Sequence, residues 1–207
     1  MSVSPRLLDR IEQLLLLAAL IWFFRQVWPS YIDFQNDFLY SLRSILLVIS
    51  EAAIILFMVF RKPTGDISIR AYDWLIAIGA TIGPLFVRAE GLPIWLLGGV
   101  IVQVTGIAIH LGAKLSLNFS FGIVAANRGV RQNGLYRFVR HPMYFGYVVA
   151  HTGFFLTAPT FWNAGVYAVV WTLFLLRIFA EERVLRKDPA YRAFMEKTKY
   201  RLVPGVF

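Results

Sequence analysis

Six apolar segments constrain this chain more than any other feature. They are read at Ile11–Trp28, Leu39–Phe60, Tyr72–Val87, Pro93–Ala113, Met143–Ala158 and Phe161–Ala180. Most approach the ~20 residues a helix needs to cross a bilayer core, while the third and fifth are short. Ser4-Pro5 reads as an N-cap followed by a first-turn proline, which starts the first helix ahead of its apolar run. Thr64-Gly65-Asp66, Gly91-Leu92-Pro93 and Thr157-Ala158-Pro159-Thr160 are natural breaks. No small-residue cleavage signature follows the first segment, so a retained span is expected there rather than a signal peptide. Composition agrees with membrane residence. Hydrophobic residues make up 58% of the chain and charged residues 16%, and the mean hydropathy is +0.61.

A net charge of +9 would suggest nucleic acid in a soluble protein, but here its distribution follows topology. Arg6 and Arg10 precede the first segment, and Arg61, Lys62 and Arg70 follow the second. Lys114, Arg128, Arg131, Arg137 and Arg140 follow the fourth. Arg183, Arg186, Lys187, Arg192, Lys197, Lys199 and Arg201 follow the sixth, which puts seventeen of the 21 Lys and Arg residues on one side. The other side holds Arg88 beside Asp33, Asp37 and Glu90. The positive-inside rule therefore makes both termini and the 112–141 loop cytoplasmic, in the inner membrane if the cell is bacterial. Attraction to anionic lipid is a secondary effect, and no nucleic-acid partner is expected. The absence of cysteine excludes disulfides, thiolate metal sites and a cysteine nucleophile. His110, His141 and His151 form no metal motif, so no metal is expected.

Chemistry-competent residues gather in the second half. Gly134-Leu135-Tyr136-Arg137-Phe138-Val139-Arg140-His141-Pro142-Met143-Tyr144-Phe145-Gly146 is basic and aromatic and opens directly into an apolar helix. Pro142 suits the first helical position, where its missing N–H costs nothing. The amides that follow, with the Arg140 guanidinium, would receive an anion. In the first half, Arg43 and Glu51 fall within the second apolar segment, eight residues apart and on one helix face. Intramembrane charges call for a functional hypothesis. Snorkelling of Arg43 and pairing of Glu51 compete with a role for Glu51 in lining a lipid-substrate tunnel. His110 and His151 are expected to be core histidines. Asp188-Pro189 starts an amphipathic helix with Tyr191, Phe194, Met195 and Thr198 on one face, an interfacial helix and a candidate lid.

Arg140-His141-Pro142-x-Tyr144-x-Gly146, followed by a helical hairpin ending in Glu181-Glu182, resembles the isoprenylcysteine carboxyl methyltransferase family. Phospholipid N-methyltransferases share much of the pattern, and the chain is similar to a prokaryotic-type member. The resemblance covers about Ser116 to Phe207, including Asn118-Phe119-Ser120 and Tyr200-Arg201-Leu202-Val203-Pro204-Gly205. It implies an all-α integral membrane protein of about six transmembrane helices, with a cytoplasmic cofactor pocket. Residues 1–113 are expected to form a four-helix N-terminal part and 114–207 the methyltransferase region. The implied cofactor is S-adenosylmethionine. Tyr136, Arg140, His141, Pro142, Tyr144, Gly146, Glu181, Glu182 and Arg201 are its expected contacts. Arg177 and Glu182 match the family's spacing for catalytic residues, and Arg177, Asn118 and Glu51 are assigned to the acceptor. The competing reading of Arg177 is an i,i+4 ion pair with Glu181.

The expected reaction is methyl transfer to a lipid or prenylated acceptor, foremost carboxyl O-methylation of a prenylcysteine-like group. A carboxylate is already nucleophilic and needs alignment more than a base. An amine acceptor would need a base, with Glu182 or His141 as candidates. Phospholipid or amine N-methylation therefore stands as an alternative. Two other classes remain open: an NADPH-dependent membrane reductase of steroid-reductase-like architecture, and a non-catalytic membrane protein. The sequence carries no signal for oligomeric state.

Overall fold

The computed structural model describes residues 4–31, 45, 49, 52–57 and 59–207. Its helices are α1 (Pro5–Tyr31), α2 (Ala71–Ile82), α3 (Leu96–Leu117), α4 (Pro142–Thr157), α5 (Phe161–Leu185) and α6 (Pro189–Lys197). Residues 52–57 of the second apolar segment are helical as well. Arg43 and Glu51, and with them the tunnel expectation, lie outside the described residues. Among those described, Leu96–Ser120 and Phe161–Leu185 are helices long and apolar enough to cross a membrane. Helix is the economical choice for such segments, because it satisfies every backbone polar group within the segment. One antiparallel bridge, Ile67 with Ala126, is the only β pairing among the described residues.

Local chemistry sets the boundaries. Pro5, Pro142 and Pro189 each occupy the first position of a helix, as their missing N–H allows. Asp188 caps α6 by accepting from the Ala190 amide at 2.8 Å, and Thr160 caps α5 by accepting from Asn163 N at 3.0 Å. The third segment stops being α-helical at Gly83 and continues as a short 3₁₀ turn, Gly83–Phe86. Pro84 cannot donate to the preceding turn there. The fourth segment begins at Leu96 rather than Pro93, because the Ile94 and Trp95 amides reach across to Leu156 O at 3.0 and 3.3 Å. The sixth runs on to Leu185, so Glu181 and Glu182 sit inside the last turns of a helix rather than after it.

The tightest seam joins α3 to α4, antiparallel, along Gly99 and Gly106 on one helix and Gly146 and Gly153 on the other. A Cβ on Gly106 would fall 2.6 Å from Ala150 Cα, and one on Gly153 would fall 2.7 Å from Gln103 Cα. No real Cβ tolerates such distances, so the four glycines let the two backbones touch. The start of α4 is thereby fixed against the end of α3. α2 packs on α5 through side chains, with Gly79 against Leu173, and the turn after it sets Gly83 against Val170.

At the α4 N-terminal end, three segments lock together. The 61–68 loop runs beside the loop after α3, through Lys62 N to Phe119 O at 3.0 Å, Ser68 N to Ala125 O at 2.8 Å and Asn127 N to Asp66 O at 2.9 Å. Arg183 of α5 pairs with Asp73 in the first turn of α2, which also accepts from the Ser68 hydroxyl. α1 is pinned by a buried cluster of Asp9, Glu12, Arg61 and Arg128, each at most 6% exposed. The far end is tied by Asn163, fully buried, which donates to Ala158 O and bonds both backbone groups of Arg88.

Candidate functional site

Four chain regions meet around one cleft. The α4 start supplies His141, Met143 and Tyr144, the α5 end supplies Glu181 and Leu185, and α6 supplies Tyr191 and Phe194. The loop after α3 forms the remaining wall, including Ser120, Gly122, Val124, Arg128 and Arg131. The cleft holds about 730 Å³ of empty space, its open mouth included.

Arg140 and His141 are buried and held from behind. Their backbone amides donate to Tyr200 O and Arg201 O at 3.0 and 2.8 Å, which lays the C-terminal segment alongside the motif. Pro142 then begins α4, so the amides of Met143 and Tyr144 have no acceptor within the helix. The two glutamates differ in their company. Glu182, 1% exposed, takes Arg140 Nε at 3.0 Å, Arg186 Nη2 at 2.9 Å, Arg201 Nε at 3.1 Å and His141 Nε2 at 3.4 Å. Glu181 accepts from Tyr144 Oη at 2.6 Å and Arg177 Nε at 3.3 Å, with His141 Nδ1 at 3.6 Å. Burial of the His141 ring opposes its charged form, but the two carboxylates outweigh that and raise its pKa above the ordinary 6.5. The His141 ring thus bridges the two glutamates, with Nδ1 toward Glu181 and Nε2 toward Glu182.

Tyr136 is buried in the wall, and burial pushes its phenol pKa upward. Phe138 on the same short turn points out and is 59% exposed, which suits an interface anchor. Arg177 lies one layer behind the cleft. Its Nη2 donates to Gly122 O at 3.2 Å, its Nε meets Glu181, and its guanidinium carbon stands 5.5 Å from the Tyr144 ring centre. The i,i+4 pair expected of Arg177 is present, and the residue braces two cleft walls without lining the cleft itself. Arg201 supports Glu182 from outside the lining and stacks on Phe179 and Phe207 at 5.5 and 5.1 Å.

Besides Arg177 and Arg201, four expected contacts lie off the cleft lining: Pro142, which starts α4, Glu182, which pairs with Arg140, and Gly146 and Asn118. Gly146 serves the α3–α4 seam, where a Cβ would come 2.5 Å from His110 N, and it does not line the cleft. Asn118 closes α3 with φ 53°, between Leu117 and Ser120, which line the cleft when it does not. Its conformation, unusual for a residue other than glycine, turns the chain into the cleft wall. His110 and His151 lie in the aromatic core of the helices. The His110 ring is centred 4.1 Å from that of Tyr147, and His151 Nδ1 accepts from Trp171 Nε1 at 3.3 Å.

Some site features were not anticipated from sequence. Tyr191 is buried in the cleft wall, and its hydroxyl has no hydrogen-bond partner among the described residues. Its place on the apolar face of α6 is readable in the sequence, but the orphaned hydroxyl is not. Arg131 lines the cleft and reaches Ser120 Oγ at 3.2 Å.

The described residues are mainly helical, two of the helices are long and apolar enough to cross a membrane, and the basic-aromatic motif meets Glu181 on one cleft. The phospholipid methyltransferase family matches residues 87–191, half of the chain, and the protein belongs to that family. The match runs from just before α3 into α6 and contains the motif, the glutamates and most of the cleft wall. It bears out the family read from Arg140-His141-Pro142 and Glu181-Glu182, and makes the protein a membrane methyltransferase acting on lipid. No curated protein matches the chain.

Proposed function

We propose that the protein transfers the methyl group of S-adenosylmethionine to the carboxylate of a lipophilic, prenylcysteine-like acceptor. The carrying observation is the charge balance of the site. Among the described residues Arg140, Arg177, Arg186 and Arg201 pair with Glu181 and Glu182, and His141 bridges the two, so four guanidiniums share two carboxylates. An excess of fixed cations favours an anionic acceptor, and engaged carboxylates are poor bases for stripping a proton from an ammonium.

The residues present fit the cofactor. The Tyr191 hydroxyl is an unmet hydrogen-bonding group in the cleft wall, suited to the polar atoms of a nucleoside. The α4 amides and Arg140 suit the methionine carboxylate, and Glu181 suits its ammonium. Tyr136 and Tyr144 offer ring faces. When bound, the cofactor supplies an electrophilic methyl group on a sulfonium. The chain's own residues do the rest. Glu182 holds Arg140, Arg186 and Arg201 together, and α6 excludes water from the cleft. Arg177 positions Glu181 and Gly122 by spanning them, which a point charge cannot do.

All residues that line the cleft lie between Leu117 and Phe194, which supports assigning the methyltransferase region to 114–207 and a lipid-facing scaffold to 1–113. The basic-residue distribution supports six spans with both termini and the cleft cytoplasmic.

The family match favours a second reading, in which the acceptor is a phospholipid amine. Incubation with methyl-labelled S-adenosylmethionine and, separately, a prenylcysteine, a fatty acid and phosphatidylethanolamine distinguishes the two. Label released by mild base as methanol is expected, from the prenylcysteine; base-stable label on phosphatidylethanolamine would establish the amine. In the same assay Arg177→Ala should lose at least tenfold in turnover, equal to ~1.4 kcal/mol of transition-state stabilisation. Arg177→Lys should rescue poorly. Near-normal turnover in the Ala variant would remove Arg177 from the mechanism.

A further inference from the structure

The first helix lies outside the residues matched by the family, yet it reaches the cleft wall. Glu12 Oε1 accepts from the backbone amides of Ile123 and Val124 at 2.6 and 2.8 Å. Its other oxygen receives Arg61 Nη1 at 2.8 Å and Arg128 Nη2 at 2.6 Å. Val124 and Arg128 line the cleft, as does Gly122, whose carbonyl is held from the opposite side by Arg177. A three-residue strip of wall is therefore gripped by α1 through its amides and by α5 through its carbonyl. Asp9 shares the two guanidiniums, at 2.9 Å from Arg61 and 2.7 Å from Arg128, but no hydrogen bond joins it to the strip. Short extended segments do not hold their own amides, and a buried amide without an acceptor is costly. Glu12 supplies both acceptor contacts with one atom.

We infer that Glu12 is a positioning residue of the cofactor cleft, setting the 122–124 wall from a helix that forms no part of the cleft lining. The inference rests on the S-adenosylmethionine reading above. It separates two roles that one buried cluster could play. A cluster that only fastens α1 would treat Asp9 and Glu12 alike. A cluster that sets the wall depends on the carboxylate that touches the amides.

Calorimetric binding of S-adenosylmethionine to the full chain in detergent, together with thermal unfolding, tests this. Wild type should bind; absence of binding would overturn the cofactor reading and this inference with it. Asp9→Ala should lower the unfolding midpoint while keeping affinity within about threefold. Glu12→Ala should weaken affinity at least tenfold, and Glu12→Gln, whose amide oxygen can still accept from both N–H groups, should restore most of it despite its lost charge. If Glu12→Ala does not fold, Glu12→Asp carries the same comparison, because it keeps the charge and withdraws the oxygen by one methylene. Its affinity should fall at least threefold below that of Glu12→Gln. Wild-type binding with equal affinities for the Asp9 and Glu12 variants, or for Glu12→Asp and Glu12→Gln, would leave the wall independent of α1 and overturn the inference.

Discussion

Two buried ionic clusters stand on either side of the same loop, and they are built to different rules. The α1 cluster sets Asp9 and Glu12 against Arg61 and Arg128, two charges against two, with every separation between the charged groups at or below 2.9 Å. The cluster at the α5 end sets Glu181 and Glu182 against four arginines and a histidine whose pKa is raised. Its separations are longer, at 2.9–3.6 Å. Arg128 of the balanced cluster lines the cleft, as do Arg140, His141 and Glu181 of the unbalanced one. The first cluster is buried throughout, whereas the side chains of Arg186 and Arg201 in the second are 49% and 25% exposed. The two therefore differ in charge balance and in access to solvent, while both reach the same open space.

The comparison is most exposed to breakage at Glu182. Replacing it with Ala strands Arg140, Arg186 and Arg201 around one missing carboxylate. Loss of one partner from a buried pair costs ~3–5 kcal/mol, and that loss is expected in thermal unfolding, together with at least tenfold weaker cofactor binding. A change below ~1 kcal/mol would mean that the arginines are already balanced by something else.

A smaller effect is expected where packing and not charge is tested. Gly146→Ala drives a methyl group toward the His110 backbone, and overpacking of this kind costs ~1–3 kcal/mol. Because Gly146 faces α3, the folded variant should retain cofactor affinity within a few-fold. Loss of affinity with unchanged stability would return Gly146 to the cofactor site.

The smallest effect is a pH slope. The folded pKa of His141 is raised, so its clasp contributes fully below the ordinary 6.5 and is lost as pH rises through the folded value. The unfolding midpoint should therefore fall on going from neutral to alkaline pH, and His141→Gln should flatten that fall. A midpoint that fell equally in wild type and variant would show that the histidine carries no charge into this interval.

Local chemistry was legible in the sequence, and long-range pairing was not. Pro142 and Asp188-Pro189 announce their helices because capping depends on the few residues at a terminus. The motif and the glutamate pair are likewise recognisable as residue types at fixed spacing. Nothing local marks the α1 cluster. Asp9 and Arg128 lie 119 residues apart, and Arg61 and Arg128 look like ordinary basic residues at a membrane boundary. The same holds for Gly146, which sits inside a motif by sequence and inside a helix seam by structure, because only the neighbouring helix reveals which face is crowded. Arg177 was found by spacing, but its place behind the wall depends on Gly122, 55 residues away.

The pairing of Arg140 and His141 with Tyr200 and Arg201 has a consequence for biogenesis. The motif's two backbone amides depend on acceptors made after α5 and α6, at Tyr200 and Arg201, and α1 depends on Arg128. A nascent chain halted after α5 would carry the complete motif and both glutamates, yet it would lack the segment that backs the motif and the third arginine on Glu182. The cleft wall is therefore finished only once Arg201 has been made.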